Sequence, residues 1–122
     1  MTPFDSILIG PAILAPDERF DQALEHHRQH RLAEAGKIYR TILRENPEHV
    51  GAMQNLIDVL CTHEGRHLEA VPLAERLVSL FPESAEARHR LGWLYGECGL
   101  LDAAKDAFRQ AVSLPGGKAV WQ

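Results

Sequence analysis

The residues best suited to chemistry are His63, Glu64 and His67, which form the pattern H-E-x-x-H. In zinc hydrolases this pattern places two histidines one turn apart on one helix, with the glutamate beside a zinc-bound water. Here Gly65 stands between the histidines, and glycine favours a turn over a helix interior. We therefore expect the histidines to lie on two different helices and to hold no metal.

A second group of possible ligands consists of His26, His27 and His30. His26 and His30 are four residues apart and would share one helical face, a spacing that can hold a metal ion. Neither a cysteine nor a pair of carboxylates completes a site nearby. We expect a solvated face rather than a metal centre.

The two cysteines, Cys61 and Cys98, are too few for a disulfide scaffold, and neither belongs to a CxxC motif. They favour a reducing, cytoplasmic setting. Phosphate-binding loops, the G-x-S-x-G turn and the dinucleotide-binding fingerprint are all missing from the sequence. We therefore expect no cofactor and no enzyme activity.

Composition limits the class of partner. The 122 residues are 45% hydrophobic and 25% charged, with a formal net charge of −4, as in one soluble globular domain. Without a basic excess, neither a nucleic acid nor an anionic membrane surface is an expected partner. The longest apolar stretch, 7–15, is too short to span a bilayer and is broken by Gly10 and Pro11.

Residues 1–16 differ from the rest of the chain, since they contain three prolines and a single charge. Prolines at this density argue against a continuous helix. The segment could be a flexible leader, or its aliphatic residues could cover the first helices or dock on a neighbouring molecule. We favour a cap over the first pair or docking in a neighbouring molecule's groove, because exposed aliphatic runs promote aggregation.

After this head, the sequence repeats. Prolines recur at Pro47, Pro82 and Pro115, 35 and 33 residues apart, and each follows a run with apolar residues at i, i+3 and i+4. Each run begins with an alanine near an acidic residue, and a turn residue stands five positions before it. The alanines are Ala35, Ala70 and Ala104, and the turn residues are His30, Gly65 and Gly99.

This periodicity predicts three helix–turn–helix units. We expect first helices near 18–29, 50–63 and 84–97, and second helices near 32–45, 67–80 and 101–114. One such pair cannot bury its apolar face alone, so the pairs must stack.

The units resemble the tetratricopeptide repeat family. The third unit carries Leu91-Gly92-x₂-Tyr95, Ala104-x₃-Phe108 and Pro115; the second has one extra residue before Gly65. The resemblance covers about 17–121 and implies an all-α fold, a right-handed α-solenoid of stacked repeats. It divides the chain into a head (1–16), three pairs (17–115) and the start of a fourth repeat or a tail (116–122). Trp121 stands where a further unit would open, which favours a fragment of a longer protein over an end that pairs with another chain.

Members of this family bind segments of other proteins along a concave surface lined by the first helices. The resemblance therefore implies partner-binding residues on the sides of these helices that do not face the stack. In the third unit they are Glu86, His89, Arg90, Trp93 and Glu97. In the second they are Gln54, Asn55 and Asp58, and in the first Phe20, Leu24 and His27.

Trp93 is the strongest candidate, because exposed tryptophans are common interface hot spots; its alternative role is packing in the core. A carboxylate clamp, which one branch of the family uses for chain termini, is not expected. Asn55 and Arg90 fit such a clamp, but Glu86 would repel a carboxylate.

The sequence thus predicts a non-catalytic scaffold for a protein or peptide partner. Two alternatives stay open. The repeats could be the N-terminal recognition module of a larger bacterial enzyme, such as a sulfotransferase or glycosyltransferase. The chain could also form homo-oligomers through its terminal repeat or its apolar head.

Overall fold

The computed structural model describes residues 16–115, and this part of the chain forms six α-helices and no strand. The helices are α1 (Pro16–Arg28), α2 (Leu32–Glu45), α3 (Val50–Thr62), α4 (His67–Leu80), α5 (Ala85–Glu97) and α6 (Leu101–Ser113). The all-α repeat fold is confirmed. The predicted helix limits agree with the observed ones to within one or two residues.

Proline sets helix ends on both sides. Pro16 is the first residue of α1, where its missing N–H costs nothing because that donor has no partner within the helix. Each second helix ends two residues before a proline. Proline disfavours the helical conformation of the residue before it, so that residue caps the helix. These capping residues are Asn46, Phe81 and Leu114.

The turn inside each pair has one residue in the left-handed region. These are His30 (φ 60°), Gly65 (φ 64°) and Gly99 (φ 78°), the three turn positions that the repeat predicts. Left-handed backbone is easy for glycine and unfavourable for residues with a Cβ. His30 therefore holds a strained position that glycine fills in the other two pairs.

The extra residue of the second unit lies at the end of α3. In the first and third pairs a backbone bond closes the turn over five positions, from Arg31 N–H to His26 O and from Leu100 N–H to Tyr95 O, both 2.8 Å. In the second pair the corresponding bond, from Arg66 N–H to Leu60 O (2.8 Å), spans six. The insertion is absorbed as a wider turn.

Each helix packs against the next one along the chain, so the three pairs stack in sequence order. Ala35, Ala70 and Ala104 are all buried, which lets the two helices of each pair approach closely. Larger residues fill the space between helices: the fully buried ones are Tyr39, Ile42, Met53, Val59, Leu60 and Leu94. Burying each such side chain contributes roughly 1.5–3 kcal/mol.

The last helix has an unpartnered apolar side among the described residues. Leu101 is 64% exposed and Val112 is 41% exposed. Val112 is the counterpart of Leu43 and Val78, which pack partly against the core because another pair follows them. The head and residues 116–122, except Pro16, lie outside the described residues, as do the predictions made for them.

None of the six helices combines the length and the apolar character that crossing a bilayer requires; this holds for residues 16–115.

Candidate partner-binding groove

The first helices of the three pairs line two adjoining depressions. The larger, about 590 Å³, lies between α3 and α5 and is lined by Gln54, Asn55, Ile57, Asp58, Cys61, Thr62, Glu86, Arg90 and Trp93. The other, about 490 Å³, lies between α1 and α3 and is lined by Asp21, Leu24, His27, Arg28, Asn55 and Asp58. Because Asn55 and Asp58 line both, the depressions form one surface, which we call the first-helix groove.

Trp93 lies on the wall of this groove and is 44% exposed. Its ring packs beside the imidazole of His67 on α4, with 5.7 Å between ring centroids and an angle of 59° between planes. The neighbouring pair thus fixes the orientation of the indole, while much of its surface stays accessible. The structure therefore places Trp93 on the surface and not in the core.

The polar candidates face each other across the larger depression. Gln54, Asn55 and Asp58 come from α3, while Glu86 and Arg90 come from α5. Both walls belong to first helices, so the i, i+3 and i+4 spacing that selected these positions also brings them together in space.

His27 contacts a groove residue through one ring nitrogen and a buried residue through the other. Its Nε2 lies 3.0 Å from Oδ2 of Asp58, and its Nδ1 lies 3.0 Å from the hydroxyl of Tyr39. Burial raises the pKa of Tyr39 to about 12, although a hydrogen bond with the Asn55 side chain partly offsets the effect. This network joins α1, α2 and α3, so His27 and Asn55 stabilise the fold as well as line the groove.

Three candidates, Phe20, His89 and Glu97, do not line either depression. His89 packs against the ring of Phe108 in its own pair, with 5.1 Å between centroids, and burial lowers the pKa of His89. Phe20 packs between the first and second pairs against Tyr39 and His49, with centroids 6.1 Å and 4.8 Å away. The expectation that Phe20 and His89 face the groove is therefore not met, because neighbouring helices cover both rings.

Glu97 occupies the edge of the groove. It lies one turn beyond Trp93 on α5, and its Oε1 is 4.0 Å from Nε2 of His67. It does not line the larger depression itself, but its carboxylate is close enough to help raise the pKa of the Cys61 thiol, an effect dominated by burial of that thiol.

Two residues that line the groove, Asp21 and Ile57, and one that supports it, His67, were not predicted from the sequence as groove residues. Asp21 stands three residues before Leu24, a helical spacing that could have selected it. Ile57 also lines the larger depression, and its apolar type gave no signal for a groove position. His67 was considered only as part of the H-E-x-x-H pattern, and nothing in the sequence indicated its contact with Trp93.

The H-E-x-x-H residues lie on different helices, as predicted. His63 caps the end of α3 and His67 is the first residue of α4. Glu64 is 16% exposed and is held by Arg40 (3.1 Å) and Arg66 (3.4 Å). Across residues 16–115, no three histidine, cysteine or acidic side chains come together in a way that could hold a metal ion.

Comparison with known proteins supports the helical-repeat fold. Residues 85–116 match the family model of the tetratricopeptide repeat. MamA (residues 41 to the end) from Desulfovibrio magneticus RS-1 superposes with a TM-score of 0.72 at 22% identity, over 80% of this chain and 55% of that one. A MamA structure from AMB-1 gives 0.77 at 19% identity, over 89% and 59%. The tetratricopeptide repeat domain of Sgt2 from Aspergillus fumigatus gives 0.66 at 20%, over 80% and 64%.

These structural likenesses establish a shared fold. The chain spans between about half and two thirds of the length of these structures. No match was found among proteins of curated function.

Proposed function

We propose that this chain is a non-catalytic protein-interaction scaffold, because residues 85–116 match the tetratricopeptide repeat model and the three helix pairs share its helix–turn–helix arrangement. Its partner is an extended or amphipathic segment of another protein, bound along the first-helix groove. The observation that carries the proposal is the exposed indole of Trp93 on the wall of a groove that continues across three helices.

Groove chemistry supports recognition of a peptide segment. An aromatic anchor beside polar side chains is typical of interface centres, where a few residues carry most of the binding energy. Leu24 offers an apolar contact at the far end of the groove, and Asn55 with Gln54 supplies amide groups to the middle. Amide side chains can both donate to and accept from the backbone of a bound segment.

The proposal can be tested with a displayed library of random twelve-residue peptides selected on the wild-type protein. Peptides that also bind Trp93→Ala are removed by counter-selection, so that those kept depend on the indole. We expect such peptides to lose tenfold or more in affinity on Trp93→Ala, as for an interface hot spot. The melting temperature of this variant should stay within about 4 °C of wild type, since a change of about 1 kcal/mol shifts it by that much.

Leu68→Ala is the matched control, because Leu68 is an exposed apolar residue on α4 outside the groove lining. It should leave peptide binding unchanged. The proposal fails if the library yields no peptide whose binding requires Trp93, or if Trp93→Ala unfolds the protein and so assigns the indole to the core.

The cytoplasm is the compartment that we propose for this scaffold. Cys61 and Cys98 are both free thiols, a state that a reducing compartment preserves.

Self-association is a second candidate function, supported by the unpartnered side of α6. Leu101 and Val112 are both substantially exposed there, and a second copy could cover them. Sedimentation of the wild-type chain should then show a mass above one protomer that Leu101→Asp reduces; a monomer at all concentrations excludes it. A role as the recognition module of a larger bacterial enzyme is not favoured, because no contact among the described residues points to it.

A further inference from the structure

We propose that the first-helix groove selects a partner segment that carries a lysine or arginine, whose cationic group lies against the open surface of Trp93 near the carboxylates of Asp58 and Glu97. This inference rests on the proposed function and adds the chemistry of the partner.

Acidic side chains outnumber basic ones along the groove. The lining contains Asp21, Asp58 and Glu86, and Glu97 stands at its edge. The two guanidinium groups of the lining are those of Arg28 and Arg90.

One of these two cations is already matched, because Arg28 forms an ion pair with Glu25 one turn earlier on α1. Arg90 is then the main positive charge in the larger depression, and Glu86 precedes it by one turn on the same helix. Asp58 lies 3.0 Å from His27 and Glu97 lies 4.0 Å from His67. The carboxylates nevertheless outnumber the guanidinium groups around the groove, in keeping with the net charge of −4 of the whole chain.

Cys61, which lines the larger depression, lies near two of these carboxylates. Burial is the main cause that raises the pKa of the Cys61 thiol, and the charges of Asp58 and Glu97 raise it further. These two carboxylates come from α3 and α5, so they approach the thiol from both walls of the groove. Both carboxylates therefore lie near the part of the groove that Trp93 lines.

The indole of Trp93 is the second feature of the groove that favours a cationic side chain. The π face of an indole attracts a cation more strongly than that of any other aromatic side chain. His67 packs beside one part of the ring, and the remaining exposed surface faces the groove. A lysine or arginine from the partner would gain both the ring and the carboxylates, and its aliphatic stem would cover apolar surface.

An acidic partner residue finds a poorer site at this place. Next to Trp93 it would meet Asp58 and Glu97, with Arg90 as the main compensating charge. A like charge brought into a partly enclosed groove is repelled, and this repulsion discriminates between partners. The groove therefore favours a basic segment over an acidic one.

The random peptide library tests this preference directly. Peptides whose binding depends on Trp93 are sequenced, and their content of lysine plus arginine is compared with that of the input library. We expect basic residues to be enriched at least twofold and acidic residues to be depleted. Enrichment of acidic residues, or no change in charge, overturns this inference but leaves the proposed function standing.

Charge-neutralising variants give the second readout on one selected basic peptide. Glu97→Gln and Asp58→Asn keep the shape of each side chain and should each weaken binding about twofold to fivefold, the range of a partly exposed ion pair. Glu83→Gln, which removes an exposed carboxylate outside the groove lining, should have no effect. Equal affinities for all three variants and wild type would contradict the inference.

Salt dependence completes the test. Raising the ionic strength from about 50 mM to about 300 mM should weaken binding of the basic peptide, because salt screens its attraction to the carboxylates. Binding that is insensitive to salt would show that the peptide is held by apolar contacts alone. If no Trp93-dependent peptide is found, both the proposed function and this inference fail.

Discussion

His27 on α1 and Asp58 on α3 are in contact across the first-helix groove, with 3.0 Å between Nε2 and Oδ2. The other ring nitrogen lies equally close to the buried hydroxyl of Tyr39 on α2. One imidazole therefore connects the first pair to the second and also shapes the groove. We therefore expect His27 to contribute both to stability and to partner binding.

We expect His27→Ala to lower the free energy of unfolding by about 1–2 kcal/mol. The change removes one partner of the buried Tyr39 hydroxyl and one partner of Asp58, and losing a partner of a buried polar group costs about that much. Urea denaturation measures the effect. His63→Ala, at an exposed capping position, should stay within about 0.5 kcal/mol of wild type, and an equally small change in His27→Ala would contradict the role assigned to this imidazole.

Two glycines of α5 should respond oppositely to alanine. A Cβ on Gly92 would lie 2.8 Å from Cε1 of Phe108, so Gly92→Ala should destabilise the protein by about 1–3 kcal/mol. A Cβ on Gly96 meets nothing within 4 Å, so Gly96→Ala should be neutral or stabilise by up to about 1 kcal/mol through helix propensity. Thermal unfolding of both variants checks the pair, and a Gly92→Ala variant as stable as wild type would be inconsistent with the close packing of α5 on α6.

The turn at His30 should accept glycine with a gain in stability. Its φ of 60° is unfavourable for a residue with a Cβ, so His30→Gly should raise the free energy of unfolding by about 0.5–1 kcal/mol. Gly99→Ala, at φ 78° in the third pair, should lower it by about 1–2 kcal/mol. Chemical denaturation of the two variants measures both signs, and the same sign for both would refute a common left-handed turn.

Alkaline pH should destabilise the fold through its tyrosines. Burial raises the pKa of Tyr39 to about 12 and, with the hydrogen bond to Glu75, raises that of Tyr95 to about 12, against an ordinary value of 10. The folded state therefore holds its protons longer than the unfolded state. Stability is fully present below about pH 10 and falls as the pH rises from about 10 to 12, by up to about 1.4 kcal/mol per pH unit and tyrosine.

Unfolding measured at pH 9 and pH 11 tests this dependence. Tyr39→Phe removes one of the two titrating groups and should show a smaller loss between the two values. If its loss equals that of wild type, Tyr39 does not control the alkaline transition.

Zinc should leave the stability of the chain unchanged. His63 and His67 belong to different helices, and Glu64 is engaged by Arg40 and Arg66. Adding zinc chloride at a few equivalents should therefore leave the melting temperatures of wild type and of His67→Ala unchanged. A zinc-dependent rise that His67→Ala abolishes would show that the H-E-x-x-H pattern does bind metal.

Local sequence signals are sufficient to predict the helix pairs, their limits and their turns. Apolar residues at i, i+3 and i+4 report a helix from within a single segment, and prolines and left-handed turn residues mark the ends locally. Even the extra residue before Gly65 was visible from spacing and reappears as a wider turn after α3. A repeat makes these local signals reinforce one another, because each unit must present the same buried face to its neighbours.

Packing between helices, by contrast, selects the residues that line the groove. Successive residues on a helix differ by about 100°, so a small rotation between packed helices moves a side chain from the groove to an interface. Trp93 and His89 both belong to α5 and were predicted as groove residues from the same helical spacing. Trp93 lines the groove, whereas His89 packs on Phe108. The pairing of Trp93 with His67, and of His27 with Asp58, depends on residues distant in sequence, which local periodicity does not specify.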